Sequence, residues 1–422
     1  MTSSSTQADG GPASDAPLAG MVVIDLTRAL AGPVCTLILA GLGAEVVKIE
    51  DPRGGDVARG NAPFVGLNGL KMVRESEGDV SLALLTRCRG KQSVTLDLKH
   101  PEAATVFTDL VAHADVVVEN FSAGTADRLG VGYAAARAAN PGVVYCSISG
   151  FGQDGGEGVR AMDALIQALS GLMLASGGPQ DPPIRVGVPV ADVLTPIYAV
   201  VGILAALTRR ARSGAGEHID VSMLGTLTSL VATEDWAALE RLGQPLRTGP
   251  TLPRLAPFGL YRAADGWFAL VAPQDRMVSS LCTAMGRPEL AEDPRFKSRD
   301  ARVRHADELT AEIERWGGDR SVAEVVATLV AAGVPAAPVR TPGEAVLDER
   351  VADRGETAPV VHPELGEIPG LRTAGLPLRF AQSAPLELAP APRLGEHTEE
   401  LLTRIAGYSA DRIAALRADS VV

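Results

Sequence analysis

Short apolar runs separated by segments of helical period fill the first 150 positions of the chain. Met21-Val-Val-Ile-Asp-Leu26, Glu45 to Ile49, Ser93 to Leu98, Ala114 to Glu119 and Val143 to Ile148 predict buried strands. Helices are predicted from about Val34, over Pro101 to His113 and over Tyr133 to Asn140, with Pro33 in a first helical turn and Gly41 and Gly43 closing it. Strand and helix in alternation imply an α/β fold with a mostly parallel, doubly wound sheet. No G-x-G-x-x-G joins the first strand to its helix, so the sheet is Rossmann-like without the nicotinamide fingerprint.

The pattern then changes. Asp163 to Gly171 carries apolar residues at helical spacing, and Ile197 to Arg210 is apolar enough to predict a buried helix. Asp192 stands between these two segments, where it either caps the second helix or does chemistry, since a carboxylate among core elements costs free energy unless paired or solvated. Thr195-Pro196 also reads as a helix entry. A helix over Leu224 to Leu242 leads into the Gly/Pro-rich stretch Gly243 to Gly259, a connector or a lid. Phe258 to Val271 predicts a hairpin turning at Asp265-Gly266. Helices at Met277 to Met285, Ala306 to Trp316 and Ser321 to Ala332 follow, then a strand at Ala336 to Val339, a Pro-rich passage to Pro392 and a last helix at Glu399 to Ile405.

Composition narrows the class. With 422 residues and 46% hydrophobic positions the chain can build two domains or one large one. A net charge of −12 speaks against nucleic acid as a partner. Cys35, Cys88, Cys146 and Cys282 show neither CxxC nor Cys/His ligand spacing, so no metal site is expected and a reducing cytoplasm fits. No apolar run is long enough to predict a membrane span.

Ordered motifs give a more specific reading. Leu18 to Leu26, Ala31-Gly-Pro33, Leu42 to Glu50, Val118-Glu-Asn-Phe121, Asp127-Arg-Leu-Gly130, Ser149 to Gln153, Val190-Ala-Asp192, Ser213 to Met223 and Leu394 to Thr398 together resemble the family III CoA-transferases, a superfamily that includes carnitine and formyl-CoA transferases and α-methylacyl-CoA racemases. The resemblance runs from about residue 17 to the end. It implies a large CoA-binding α/β domain at 18–227, a smaller α+β domain at 228–345 and a segment at 346–422 that returns to the large domain, while the leader at 1–17, rich in Ser, Gly, Ala and Asp, is expected to be disordered. It also implies an interlocked homodimer, acyl-CoA and a small carboxylic acid as substrates, and no permanently bound cofactor.

Asp192 is then the implied nucleophile. An ionised carboxylate can attack a thioester without a separate base, giving first an anhydride and then an aspartyl-CoA thioester. For CoA contacts the resemblance implies Ala31, Arg53, Lys91, Asn120, Phe121 and Arg128. Arg87, Arg89 and Lys91 form a basic cluster that is otherwise a solvated loop, and Gly32 is expected to let backbone approach the pantetheine. Alternatives remain: a racemase or epimerase, intramolecular transfer on a dicarboxylic acid, or a catalytically idle CoA-binding subunit. The racemases place a His before the Asp at the Asp163 position, where this chain has Met162, and oxalate-using members have a polar residue where this chain has Leu30. His218 and His397 are expected in structural roles, with His100, His113, His305 and His362 on the surface.

Overall fold

Six parallel strands organise the larger part of the computed structural model, which describes residues 15–155, 160–383 and 387–422. In chain order they are β1 (Val22–Asp25), β2 (Glu45–Glu50), β3 (Lys91–Thr95), β4 (Val116–Glu119), β5 (Val144–Ser149) and β6 (Glu217–Ser222). Their order across the sheet is β3-β2-β1-β4-β5-β6, every pair parallel. The order reverses between β1 and β4, and a doubly wound sheet binds ligands in the crevice at such a reversal, beyond the carboxyl ends of the strands.

Strand β6 was not expected. Glu217-His-Ile-Asp-Val-Ser alternates polar and apolar residues and none of its residues is fully buried, so an edge strand hides from a search for continuous apolar runs. The third strand begins two residues before its predicted start, because Lys91 and Gln92 pair with Val46 and Val47.

One face of the sheet is covered by α1 (Ala31–Gly41) and a 24-residue helix (Val190–Ser213), with Leu39, Val46, Val118, Ile148, Ala199 and Ile203 in one core. Gly202 permits this approach, for a Cβ there would sit 2.9 Å from a side-chain carbon of Ile219 on β6. The other face packs against Ala103–Val111, Tyr133–Ala139 and the C-terminal helices Thr398–Arg404 and Ala410–Ala418, around Phe107, Leu110, Tyr145 and Leu401.

The chain divides into two compact units, Met1–Ser170, Gly187–Leu230 and Val346–Val422 forming the first, Gly171–Val186 and Val231–Ala345 the second. The excursion at Gly171–Val186 had no signature in the sequence. In the second unit the expected hairpin is present as Phe258–Arg262 and Trp267–Val271, extended by Ala336–Pro338. Arg302, fully buried, donates to the carbonyls of Ala256, Phe296 and Pro273 and to Asp275, which fixes the loop before the hairpin. The glycine-rich stretch is tied by Leu252 N–H to Phe258 O and Leu260 N–H to Pro250 O.

In the first unit, the Pro-rich passage is more than a linker. It contains the antiparallel pair Thr357–His362 and Gly366–Ala374. His362 is 2% exposed rather than on the surface: its Nδ1 accepts from the amides of Glu364 and Leu365, so its Nε2 carries the proton that is donated to Gly78 O. The expected leader lies outside the described residues as far as position 14.

Candidate active site

Asp192 is in the first turn of the helix Val190–Ser213, not at its cap. Pro189 holds the cap position and no side chain bonds there as a cap. The carboxylate that serves the helix start is Asp163, at the beginning of the helix Asp163–Leu169. Its Oδ1 accepts from Ala191 N–H at 2.8 Å and its Oδ2 accepts from Gln167 Nε2 at 2.7 Å. Pro196 is inside the longer helix, not at its entry. Having no N–H, it cannot donate to the carbonyl four residues earlier, which belongs to Asp192.

No hydrogen bond to the Asp192 carboxylate is formed among the described residues, and the side chain is half-buried. Burial pushes its carboxyl up to about 6, the Asp163 charge adds to this, and Arg87 opposes it. Arg87 ends the helix Leu82–Arg87 and donates to Ala29 O at 2.9 Å. Burial lowers the Arg87 pKa, while Asp56, Cys88 and Asp192 favour its charge.

The loop after β1 comes to the same region through side chains on three other segments. Asn120 Oδ1 accepts from Arg28 N–H and its Nδ2 donates to Arg28 O, both at 2.8 Å. Asp56 accepts from Ala29 N–H, and Ala29 holds φ 67°, a left-handed conformation that costs a residue with a Cβ. The Arg28 guanidinium is 5.5 Å from the centre of the Phe121 ring. Phe121 N–H donates to Glu119, whose carboxyl burial raises to about 7 against the hydrogen bonds from Ser147 and Phe121.

The expected CoA-contact residues thus divide into two groups. Ala31, Asn120 and Phe121 flank the crevice between β1 and β4, with Arg53 following β2 and Arg128 ending the short helix Thr125–Arg128 after β4. Arg53 is exposed and already paired with Asp51 and Asp97, whereas the Arg128 side chain donates, among the described residues, only to Thr125 Oγ1 at 2.8 Å. Arg28, which joins Asn120 to Phe121, was missed, although its position directly before Ala29-Leu-Ala-Gly-Pro33 was a usable signal.

Lys91 is elsewhere. It is 3% exposed, and its Nζ donates to Asp25 at 3.0 Å, Pro33 O at 2.9 Å and Thr36 Oγ1 at 2.7 Å. An ammonium has three protons, and all three are committed, leaving none for the expected phosphate. Lys48 closes the same buried network, 2.9 Å from Asp56 and 4.0 Å from Asp25. Burial alone would raise the Asp25 carboxyl, but Lys48, Lys91 and the hydroxyls of Thr27 and Thr36 hold it at about 2. Gly32 also differs from expectation. The space beside it is filled by Thr27, whose Cβ would lie 2.3 Å from an added Cβ, so the glycine serves loop packing.

Among the described residues no group of acids, histidines and cysteines could hold a metal ion. One half-buried carboxylate, Asp192, stands out in this region for its interaction with the Arg87 guanidinium.

The model of CoA-transferase family III matches residues 18–398. The succinate–glutarate CoA-transferase of Agrobacterium fabrum is 35% identical, over 92% of this chain and 96% of its own length. The succinyl-CoA:mesaconate CoA-transferase of Haloarcula hispanica is 37% identical over 90% of this chain and 94% of its own. A crystal structure of a CaiB/BaiF family protein from Brucella suis superposes with a TM-score of 0.78 at 33% identity, covering 96% of this chain and 99% of that one.

Proposed function

The chain belongs to CoA-transferase family III, and on that footing we propose that it moves CoA from an acyl-CoA to a carboxylic acid through covalent intermediates on Asp192. The observation that carries this reading is the state of that side chain: a half-buried carboxylate with its pKa raised to about 6, no hydrogen bond among the described residues, and Arg87 nearby. At neutral pH it is mostly ionised, yet more basic than a solvated aspartate, which suits a nucleophile.

Attack of an Asp192 oxygen on the donor thioester carbon breaks the C–S bond and releases CoA thiolate, leaving a mixed anhydride. The thiolate then attacks the aspartyl carbonyl, the donor leaves as a carboxylate, and Asp192 holds CoA as a thioester. The acceptor carboxylate repeats these steps in reverse, and Asp192 returns as a free carboxylate with one thioester exchanged for another. Arg87 stabilises the negative charge that moves along this path. At the crevice, the first amides of α1 at Ala31 and Gly32 have no acceptor within the helix and can face ligand oxygens. Asn120 and Phe121 shape the wall, and Arg128, with no carboxylate bonded to it among the described residues, is a cation available to a CoA phosphate.

Racemisation is disfavoured by the same geometry. Two-sided proton exchange needs two titrating groups, but Met162 cannot titrate and Asp163 is occupied by Ala191 and Gln167. The test is deuterium uptake at the α-carbon of a 2-methylacyl-CoA in heavy water, beside transfer to succinate, glutarate or mesaconate. The expected result is transfer to at least one acid without exchange at the α-carbon. Exchange with inversion and no transfer would make the enzyme a racemase.

We also propose a homodimer. The segment Ile197 to Arg210 is expected from its sequence to be a buried helix, but Ile197, Tyr198 and Val201 are 49%, 50% and 60% exposed, and Leu165 and Leu169 on the neighbouring helix are exposed as well. An apolar face of this kind calls for cover, and a second copy of the chain supplies it. Light scattering is expected to give twice the chain mass at micromolar concentration, with Val201→Glu shifting it towards the monomer; a wild-type monomer would refute the proposal. Four buried free cysteines fit the reducing cytoplasm.

A further inference from the structure

The first unit contains a cavity of about 670 Å³ that no step above uses. Its lining carries four arginines, Arg89, Arg354, Arg372 and Arg379, against one acid, Glu387, and its remaining walls are largely apolar, with Leu376 and Phe380 prominent. On a chain of net charge −12 this is a local reversal of sign.

The four guanidinium groups are not equivalent. Arg354 is paired with Glu356, and Arg372 donates to the hydroxyl and carbonyl of Thr357. Arg89 donates to Ala374 O, but its Nε is buried and meets no acceptor among the described residues. Burial lowers its pKa, and among the described residues no carboxylate offsets that. Arg379 is exposed at the cavity and forms no ion pair among the described residues. A half-buried cation without a counter-charge is costly, and a buried donor without an acceptor adds to the cost. Both costs fall when an anion enters.

We propose that this cavity binds an amphipathic organic anion, a carboxylate or phosphate monoester with an apolar chain, its head on Arg89 and Arg379 and its chain along Leu376 and Phe380. The volume is within the range of small-molecule sites. It is distinct from the Asp192 site: Leu85 and Arg89 line the cavity, whereas Arg87, between them in sequence, is the residue coupled to Asp192.

Calorimetric titration of the full-length protein with octanoate and with octyl phosphate tests this, with octanol and inorganic phosphate as the chain-only and head-only controls. Both amphiphiles are expected to bind at least tenfold more tightly than either control, and the tighter of the two identifies the head group. Arg379→Gln is expected to weaken binding about tenfold or more while leaving kcat/KM for CoA transfer unchanged, and Arg89→Gln to do the same to binding. Hydrogen exchange is expected to slow on ligand addition in peptides covering 372–383. Because Arg379 is exposed, its variant remains informative even where Arg89→Gln fails to fold. Unchanged affinity in Arg379→Gln, octanol binding as tightly as octanoate, or protection absent from 372–383 would each overturn the proposal.

Discussion

Asp192→Ala is expected to lose transfer by a factor on the order of 10⁴ to 10⁶, the scale on which removal of a covalent nucleophile acts, with CoA binding retained. The control is stability. The folded-state pKa of Asp192 is raised above its reference of 3.8 to about 6, so ionisation is harder in the folded chain than in the unfolded one. That cost is absent below about pH 4, where the carboxyl is protonated in both states, and is complete above about pH 6. Asp192→Asn should therefore unfold at a slightly higher temperature than the wild type at pH 7.5, and at nearly the same temperature at pH 4. Wild-type kcat/KM should be flat above about pH 7 and fall about tenfold per unit below about pH 6, as the nucleophile protonates. Transfer by Asp192→Ala at even a hundredth of the wild-type rate, with no rise in stability for Asp192→Asn, would remove Asp192 from the chemistry.

Lys91→Met is the second large effect, and it is an effect on the fold. Removing one partner from a buried ionic network costs about 3–5 kcal/mol, because the remaining charge is left uncompensated. Here Asp25 would keep Lys48 only at 4.0 Å, with its other donors the Thr27 amide and hydroxyl and the Thr36 hydroxyl. Denaturant unfolding measures the loss directly. Asp25 also sets a pH window: its folded pKa is depressed to about 2, so its stabilisation is full above about pH 4 and is lost as pH falls through 2. In whatever fraction of Lys91→Met stays folded, affinity should fall equally for CoA and dephospho-CoA. Arg128→Ala is the variant expected to separate those two ligands. A wild-type unfolding curve for Lys91→Met, together with selective loss of CoA over dephospho-CoA, would return Lys91 to the phosphate.

The mistaken placement of Lys91 shows where sequence reading stopped. A lysine two residues after Arg89 and before a strand looks like part of a basic loop, yet it begins β3 and points inward. Its acid partner is 66 positions away, and no local pattern records that pairing. The same holds for Gly32, whose missing side chain makes room for Thr27 rather than for a ligand. For Asp163 and Asp192 the roles could not be divided by spacing, since both are carboxylates near a helix start. Only the bonds from Ala191 and Gln167 show which of them serves structure.

By itself the sequence determined the alternation of strands and helices, the parallel sheet and the family. These follow from period, turn chemistry and ordered motifs, all of them local along the chain. Tertiary structure alone decided that Glu217–Ser222 closes the sheet, that Gly171–Val186 joins the second unit, that Lys91 is locked in the core while Arg28 lies over Phe121 and Arg87 donates to Ala29 O, and that an apolar helix leaves one face open. Each of these depends on which distant segments meet. A charge acquires its function from the groups within a few ångströms of it, whatever its neighbours in the chain.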